Sequence, residues 1–436
     1  MIDYISKEST IIFNSCYDKL IDFKFINSYN KIIFSNYEIL IDLFDYSFDD
    51  IFEKYLNADL MCSDLMCSHY IGSRFNQPIE LPSNLTHLIF GCHFNQPIEL
   101  PENITHLIFD YYFNQPIKLP PNIIMISFNF NFNRHVELPI NITHLTVDHG
   151  FNKHVKLPPN ITHLTLNLIH NKYAKLPEKI THLTFGNCFN QYIELPPNIT
   201  HLDVGNEFNQ PIKLPPNITH INFGHKFNEY VELPQNITHL TFGFKFNQPL
   251  ELPEKITHLT FGSSFNQPIE LPDKLTHLTF GSHFNQPIEL PDKLTHLTLG
   301  CCFEQLIELP ENLIMITFGY VFNQPIVLSP NITHLTFGNE FNQPIVLPEK
   351  ITHLTFGEKF NQKVDLPFSI KYLKLKGDDK SHNLDYLPEG IEKLELGKFF
   401  NSSLDNLPNS LLVIKISADY TGSLKCIPTN TKVEYI

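Results

Sequence analysis

A segment of nineteen residues recurs sixteen times in tandem, without a single insertion, from residue 75 to residue 378. Its consensus reads FNQPIELPxNITHLTFGxx. The first residue of each repeat is Phe75, Phe94, Phe113, Phe132, Phe151, His170, Phe189, Phe208, Phe227, Phe246, Phe265, Phe284, Phe303, Phe322, Phe341 and Phe360. Tandem repeats of this length form solenoids, in which each repeat is one coil that packs only against its neighbours. The period therefore excludes a set of independent globular domains, which 436 residues would otherwise suggest.

The pattern within the repeat indicates one short strand and one extended return segment. Numbered from the opening phenylalanine, positions 1, 5, 7, 11, 14 and 16 are apolar, as in Phe246, Leu250, Leu252, Ile256, Leu259 and Phe261. The spacing over positions 11 to 16 fits a strand and not a helical stripe. Proline occupies position 8 in fifteen repeats and position 4 in nine, which excludes a helix there and favours extended backbone. We predict a mainly β solenoid of 19-residue coils, with a parallel sheet on one face, proline-rich extended segments on the other, and irregular caps.

Position 17, directly after the predicted strand, is glycine, asparagine or aspartate in every repeat but the last, which has Lys376. These three residue types tolerate a positive φ angle better than the others do. The pattern therefore predicts one left-handed backbone position per coil.

The ends of the chain depart from the period and are predicted to cap the stack, because an open solenoid exposes two apolar faces. Residues 1–74 are interpreted as an N-terminal cap that contains decayed coils, one of them with Tyr29, Asn30 and Ile33 at positions 1, 2 and 5. A short helix is predicted from residue 47 to residue 56, where a capping box precedes apolar residues at helical spacing. Residues 75–378 form the regular array, and residues 379–436 are interpreted as degraded coils and a C-terminal cap.

The net charge limits the kinds of partner that the protein can have, and the cysteines limit its cellular location. With 31 basic and 46 acidic residues the net charge is −15, which disfavours nucleic acid and anionic membranes as partners. No secretory signal and no spanning apolar run is visible, so we expect a cytoplasmic protein whose eight cysteines are free thiols.

The motif FNQPI…LPxNITHLTFG resembles the FNIP repeat, found in amoebae and in large viruses of amoebae, and covers residues 75–378 at full strength. The same segment is similar to short leucine-rich repeats, with LP before L-x-x-L-x-L. The resemblance implies a right-handed, leucine-rich-repeat-like solenoid used for protein interaction in the cytoplasm, which would be the host cytoplasm if the chain is viral. FNIP repeats sometimes follow an F-box, which implies an alternative function as a substrate-recognition adaptor of a ubiquitin ligase, with residues 1–74 as an F-box-like or BTB-like segment. The L-P opening of an F-box is not found in those residues.

Position 13 is a histidine in most repeats, and the leucine-rich-repeat alignment places it on the outward, concave face of the sheet. We call this set the histidine ladder: His87, His106, His144, His163, His182, His201, His220, His239, His258, His277, His296, His334 and His353. Three roles are open: a structural stack, a stripe that contacts a partner, or a row of metal ligands. A collinear row without carboxylates or thiolates does not close a tetrahedral site, so we expect a structural ladder, with no metal and no cofactor. Stacking also predicts lowered pKa values, and asparagine at position 2 predicts a second, hydrogen-bonded ladder.

Partner specificity is expected at the positions that differ between coils, chiefly 4, 18 and 19. The candidate contact residues are Tyr111, Tyr112, Phe130, His135, His154, Tyr173, Tyr192 and Tyr230. Exposed aromatic side chains of this kind are frequent hot spots of protein interfaces.

No catalytic motif occurs in the chain: we find no P-loop, no G-x-G-x-x-G, no C-x-x-C, no G-x-S-x-G and no H-E-x-x-H. Histidine and carboxylate residues occur together in most coils, and a feature repeated along the array indicates a scaffold and not one active centre. We therefore predict a non-catalytic scaffold for protein–protein interaction whose partner the sequence does not identify.

Overall fold

A computed structural model describes two compact parts of the chain, residues 1–208 and 209–436, here called the N-terminal half and the C-terminal half. The described residues are 4–7, 10–13, 29, 31–34, 74–128, 130–148, 156–167, 175–377, 387–398, 400 and 403–436. Within these ranges all regular secondary structure is β-strand, and no residue is helical. The predicted helix at 47–56 lies outside the described residues.

The N-terminal half contains ten described strands. They are β1 (Tyr4–Lys7), β2 (Thr10–Phe13), β3 (Lys31–Phe34), β4 (His87–Phe90), β5 (His106–Phe109), β6 (Met125–Phe128), β7 (His144–Val147), β8 (His163–Leu166), β9 (His182–Phe185) and β10 (His201–Asp203). β1 and β2 pair antiparallel, and from β2 to β10 each strand pairs parallel with the next.

The C-terminal half contains twelve described strands. They are β11 (His220–Phe223), β12 (His239–Phe242), β13 (His258–Thr260), β14 (His277–Thr279), β15 (His296–Thr298), β16 (Met315–Thr317), β17 (His334–Thr336), β18 (His353–Phe356), β19 (Tyr372–Leu375), β20 (Lys393–Leu396), β21 (Val413–Ile416) and β22 (Lys432–Tyr435). All neighbours from β11 to β22 pair parallel.

The pairing register confirms that one repeat is one coil of a parallel β solenoid. His258 pairs with His277, and Leu259 pairs with Leu278, so residues nineteen apart lie side by side. In the regular array each described strand occupies positions 13 to 15 or 16 of its repeat, and strands such as β12 and β13 alternate half-buried and buried residues. Alternation arises because successive side chains of a strand point to opposite faces. Positions 14 and 16 consequently face the core, and positions 13 and 15 face outward. The handedness of the coils stays a prediction.

The core is built from two columns of stacked phenylalanine rings. Phe242 at position 16 lies against Phe246 at position 1 of the next repeat, with ring centroids 3.7 Å apart and an interplanar angle of 12°. Phe246 in turn stacks over Phe265, and each of these rings is at most 1% exposed. Burial of a large aromatic ring on both of its faces requires the neighbouring coils, so a single coil is not a stable unit.

In the C-terminal half, the spacing between equivalent rings is smallest on the outward face of the sheet. Centroid distances are 4.2 Å for His258 and His277, 5.6 Å for Phe261 and Phe280, and 6.0 Å for Phe265 and Phe284. The histidine rings therefore pack more closely than the phenylalanine rings of the core.

Asparagine at position 2 forms the hydrogen-bonded ladder that the sequence predicts. The Asn266 amide N–H donates to Oδ1 of Asn247 at 2.9 Å. The side chain of Gln267 donates to the backbone oxygen of Asn247 at 3.2 Å. These bonds satisfy the backbone at the bend between the strand and the return segment.

The expectation for position 17 is wrong. Among the described residues, Gly205 alone of the position-17 glycines has a positive φ angle, 74°, and the other positive-φ glycine, Gly390, lies elsewhere in its coil. Glycine is needed there for a different reason. A Cβ atom on Gly281 would lie 2.2 Å from the backbone oxygen of Gly262 in the preceding coil. Glycine is therefore required because the backbones of neighbouring coils approach too closely for a side chain, and not because the residue is left-handed.

The register expected for the decayed N-terminal coil is also wrong. Ile33 lies in β3, opposite Ile89, which places it at position 15 of a coil and not at position 5. Lys31 correspondingly occupies the position of the histidine ladder, opposite His87. The misreading arose because Tyr29-Asn30 imitates the Phe-Asn opening of a repeat. The division of the chain into 1–74, 75–378 and 379–436 stays a prediction.

The last coils replace the uncharged outward rows with charges of alternating sign. Along position 15, Lys374 pairs with Glu395, and Lys415 pairs with Glu434 at 3.3 Å. Rows of identical charges would repel between coils, whereas alternating charges attract. The C-terminal end of the array thus keeps the strand register without the histidine and threonine rows.

Replacing Gly281 by alanine is expected to destabilise the protein by about 1–3 kcal/mol, because the new methyl group overlaps the backbone of the preceding coil. Urea unfolding measures the change. The neighbouring substitution Ser282→Ala, which adds no atoms, is the control and is expected to change stability by less than about 0.5 kcal/mol. Equal midpoints for the two variants would show that coils do not approach closely at this position.

Candidate functional site

The histidine ladder forms a row of parallel imidazole rings on the outward face of the sheet. Each histidine is the first residue of its strand, and the following residue, which points inward, holds the strand against the core. Ring centroids of neighbouring histidines are 4.1–4.2 Å apart with interplanar angles of 6–14°. At this spacing nothing fits between the rings, so only their outer edges can meet another molecule.

A threonine before each ladder histidine holds the ring in place. Oγ1 of Thr276 lies 2.9 Å from Nδ1 of His277 and 3.0 Å from the backbone oxygen of Thr257. That backbone oxygen already accepts the N–H groups of Thr276 and His277, at 2.9 and 3.0 Å. The Thr276 hydroxyl also donates to this oxygen, and the contact between Oγ1 and Nδ1 fixes the orientation of the His277 ring. Each ladder ring is thereby tied to the backbone of the preceding coil.

The surroundings of the ladder lower the pKa of six of its imidazoles. Burial, followed by the charge of His106, lowers the pKa of His87 to about 3. Burial, followed by neighbouring histidines, lowers the pKa of His163 to about 4. The pKa is lowered for the same two reasons, burial first, in His144, His239, His277 and His334. The direction agrees with the expectation from stacking, although burial contributes more than repulsion between rings.

The ladder does not converge on a point where a metal ion could bind. Parallel rings place their nitrogens side by side, whereas a tetrahedral site needs ligands from several directions. Within the described ranges, no group of three or more histidine, cysteine, aspartate or glutamate side chains has a metal-binding arrangement. A structural role for the ladder remains the prediction that this geometry favours.

The outward face is covered at the start of the array and accessible later. Ile89 and Ile108, at position 15 of β4 and β5, are only 1% and 3% exposed. Met125 interrupts the ladder with 6% exposure, whereas Met315, at the same position in the C-terminal half, is 36% exposed. A partner that reads the outward face therefore has better access to the C-terminal half.

Three of the candidate contact residues form one aromatic cluster in the N-terminal half. Tyr111 stacks on Phe130 with centroids 4.8 Å apart and meets Tyr112 edge to face at the same distance. His93 lies 5.5 Å from Tyr112, which is 46% exposed. We call His93, Tyr111, Tyr112 and Phe130 the aromatic cluster.

The remaining candidates occupy position 4 of their repeats. His135 is exposed, and Tyr192 and Tyr230 are 69% and 67% exposed. Tyr192 also lines a surface depression of about 400 Å³, whose Lys175 and Glu178 form an ion pair at 3.0 Å. The other two candidates, His154 and Tyr173, lie outside the described residues.

Four exposed apolar residues in the C-terminal half were missed by the sequence analysis. They are Leu306, Val327, Val346 and Phe368, with 72%, 88%, 88% and 81% exposure. The signal was present, because position 6 carries a charged residue in every repeat except those of Val327 and Val346.

The described part of the chain has no helix that could span a membrane. Its described cysteines, Cys92, Cys188, Cys301, Cys302 and Cys426, are free thiols.

Comparison with protein families gives matches to the FNIP repeat over more than half of the chain. The matched ranges are 70–93, 75–112, 94–131, 170–207, 189–226, 208–245, 227–264, 246–270, 265–302, 322–359 and 341–378. A search of curated proteins gives no significant match.

Two solved leucine-rich-repeat structures are similar to this chain. CroV588, described as a novel circular leucine-rich-repeat protein, is 28% identical with a TM-score of 0.59, over 99% of this chain and 79% of its own. YopM from Yersinia enterocolitica is 20% identical with a TM-score of 0.56, over 84% of this chain and 80% of its own. The similarity to YopM, at 20% identity, indicates a shared fold alone. Both agree with the leucine-rich-repeat-like solenoid expected from the sequence.

The pKa values of the ladder predict that the protein loses stability in mild acid. In the unfolded chain a histidine has a pKa of about 6.5 and binds a proton as the pH falls below that value. In the folded chain His87 and His163 stay neutral until about pH 3 and 4. Protons therefore bind preferentially to the unfolded state, and the free energy of unfolding falls as the pH drops through 6.5.

Urea midpoints at about pH 7.5 and about pH 5 test this, in a range where most carboxylates remain ionised. The matched variant carries His87→Met and His163→Met, because methionine occupies the same position at Met125 and Met315. We expect a smaller acid-induced loss in the variant. A wild-type midpoint that does not change with pH would contradict the account of the ladder.

Proposed function

This chain belongs to the FNIP repeat family, and on that premise we propose that it is a non-catalytic repeat scaffold that binds a protein partner. The observation that carries the proposal is the exposure of tyrosines at positions that vary from coil to coil. Tyr112, Tyr192 and Tyr230 are 46%, 69% and 67% exposed. Tyrosine offers a large, rigid contact area with a polar end, which is why it is enriched at interface hot spots.

The repeat itself supplies an internal comparison for these tyrosines. Position 4 is proline in nine repeats, so a coil folds without an aromatic residue there. Tyr192 and Tyr230 therefore add exposed apolar surface that the fold does not require. The aromatic cluster is analogous, because position 18 is serine in some coils, such as those of Ser263 and Ser282. Residues that the fold does not need, and that water disfavours, are best explained by contact with a partner.

Several features support a scaffold over an enzyme. Leucine-rich-repeat-like solenoids in general act as non-catalytic scaffolds, whose extended surfaces bind other proteins. The rows of this chain repeat the same side chain in coil after coil, whereas catalysis needs different groups held around one reacting atom. The proposal includes no cofactor, and the net charge of −15 supports a protein partner over nucleic acid or an anionic membrane.

The described cysteines bear on the cellular location of the protein. Free thiols persist in a reducing compartment, and the described cysteines support a cytoplasmic location on that ground. The alternative function, a ubiquitin-ligase adaptor, requires a ligase-docking segment within residues 1–74. The structure describes only 4–7, 10–13, 29, 31–34 and 74 of these residues, and no described contact favours the adaptor, which stays a prediction.

Removing the exposed tyrosines is expected to reduce partner binding at least tenfold without loss of stability. The variant carries Tyr112→Ala, Tyr192→Pro and Tyr230→Pro, the last two of which restore the residue most common at position 4. Quantitative affinity capture with the tagged chain, followed by mass spectrometry, measures the recovery of proteins bound in stoichiometric amounts. Tyr435→Ala, which removes a tyrosine that is 60% exposed at the end of the array, is the control. Recovery of the same proteins in equal amounts by the triple variant would contradict the proposed contacts, and recovery of none by the wild type would contradict the scaffold function.

A further inference from the structure

The row formed by position 6 in the C-terminal half changes from charged to apolar along the array. Five consecutive repeats carry exposed glutamates, and the next two carry valines. The residues are Glu232, Glu251, Glu270, Glu289, Glu308, Val327 and Val346. Both valines are 88% exposed, more than any other described large hydrophobic residue.

Two further apolar side chains, in the repeats on either side of these valines, are also highly exposed. Leu306, at position 4 of the preceding repeat, is 72% exposed, and Phe368, at position 9 of the following repeat, is 81% exposed. We call Leu306, Val327, Val346 and Phe368 the edge patch. These are the four most exposed large hydrophobic residues in the described part of the chain, and they fall in four consecutive repeats.

The fold does not require the edge patch. Glutamate occupies position 6 in the five preceding repeats, and proline is the usual residue at position 4. Position 9 is glutamate in the repeat before that of Phe368. Near-identical coils thus form with polar residues at the same places, and leaving apolar residues in water costs free energy with no gain in packing.

In the region that the structure describes, residues 175–377 included, none of the five glutamates beside the edge patch forms an ion pair. Lys255, in the coil of Glu251, donates instead to Oδ1 of Asn236 at 2.7 Å, and Lys274 and Lys293 form no ion pair with the glutamates of their coils, Glu270 and Glu289. The row therefore offers a stretch of glutamates without ion-pair partners that runs directly into an apolar one.

The spacing between coils is close to the side-chain repeat of an extended peptide. Successive position-1 rings are 6.0–6.3 Å apart from Phe227 to Phe341, the repeats that carry this row. Side chains on one face of an extended strand recur every second residue, at about 6.6–6.8 Å. A peptide lying along the array can thus place every second side chain on a new coil.

We propose that the position-6 row and the edge patch form a docking surface for an extended protein segment in which basic residues at alternate positions are followed by apolar residues at alternate positions. The proposal rests on the proposed scaffold function and adds the chemistry of the partner. The basic residues meet Glu232 to Glu308, one per coil, and the apolar residues cover Val327 and Val346. Charge complementarity selects a cationic segment and sets its direction on the row, and the apolar contacts hold it in place.

The test uses the full chain and a fluorescent synthetic peptide with lysine at five alternate positions, then leucine at three alternate positions, with serine between them. A peptide of the same composition in scrambled order is the control. Fluorescence anisotropy is expected to give at least tenfold tighter binding for the patterned peptide, and binding that weakens as salt is added. Equal binding of the two peptides, or no binding of the patterned one, would overturn the proposal.

Variants drawn from the repeat itself locate the binding site. Val327→Glu with Val346→Glu restores the residue of the preceding repeats, and Glu251→Lys with Glu270→Lys introduces the residue found at Lys118 and Lys156. Each pair is expected to weaken binding of the patterned peptide at least tenfold. Glu99→Lys, at position 6 in the N-terminal half, is the matched control and is expected to change binding less than twofold. Unchanged binding by either pair would overturn the proposal.

Two outcomes distinguish this docking surface from a dimer interface and from the tyrosine contacts. Self-association of the wild-type chain that the valine pair abolishes would show that the occupant is a second copy, and the proposal would be wrong. If the patterned peptide fails while the wild type still recovers a partner through its tyrosines, the docking surface is wrong and the scaffold function stands. If no partner is recovered either, both are wrong.

Discussion

The stacking of buried aromatic rings between coils is the interaction on which the rest of this structure depends. Each position-1 ring, such as Phe265, lies between the equivalent rings of the two neighbouring coils and against the position-16 ring that precedes it. A repeat with one four-residue strand cannot bury such a ring alone, so the coils are stable only as a stack. Because these rings stack on their equivalents nineteen residues away, a slip in register would break the stacking, and the same side chain recurs in a row along every surface.

Rows of identical residues restrict which residue types a surface can carry. Identical charges at the 4.2 Å spacing of the histidine ladder would repel, and that row carries histidine, interrupted by Met125 and Met315, as far as His353. At position 15 the first row of charges, from Lys374 and Glu395 onward, alternates in sign. Five glutamates in a row occur only at position 6, outside the strands. The spacing between equivalent side chains thus limits where like charges accumulate, and with it the kind of partner that each surface fits.

The period made the strands, their register and the aromatic columns predictable, because a residue pattern repeated sixteen times leaves few ways to build a coil. Two local predictions were wrong, in each case because the same residue pattern is compatible with two different structures. Glycine at position 17 permits close approach to the preceding coil, as Gly281 does, and sequence alone does not separate this use from a left-handed turn. Tyr29-Asn30 imitated the start of a repeat, and only the pairing of Ile33 with Ile89 revealed its true register. The edge patch was overlooked although position 6 is charged in all the other repeats, which already indicated that Val327 and Val346 are exposed; the structure shows them 88% exposed.

The most direct test of aromatic stacking compares two phenylalanines in one protein. Phe265 is fully buried in the position-1 column, and Phe368 is 81% exposed. Urea unfolding of Phe265→Ala is expected to show a loss of about 3–5 kcal/mol, because the ring leaves a cavity between three coils. Phe368→Ala is expected to change stability by less than about 0.5 kcal/mol. A loss for Phe265→Ala no greater than that for Phe368→Ala would contradict the claim that stacked rings hold the coils together.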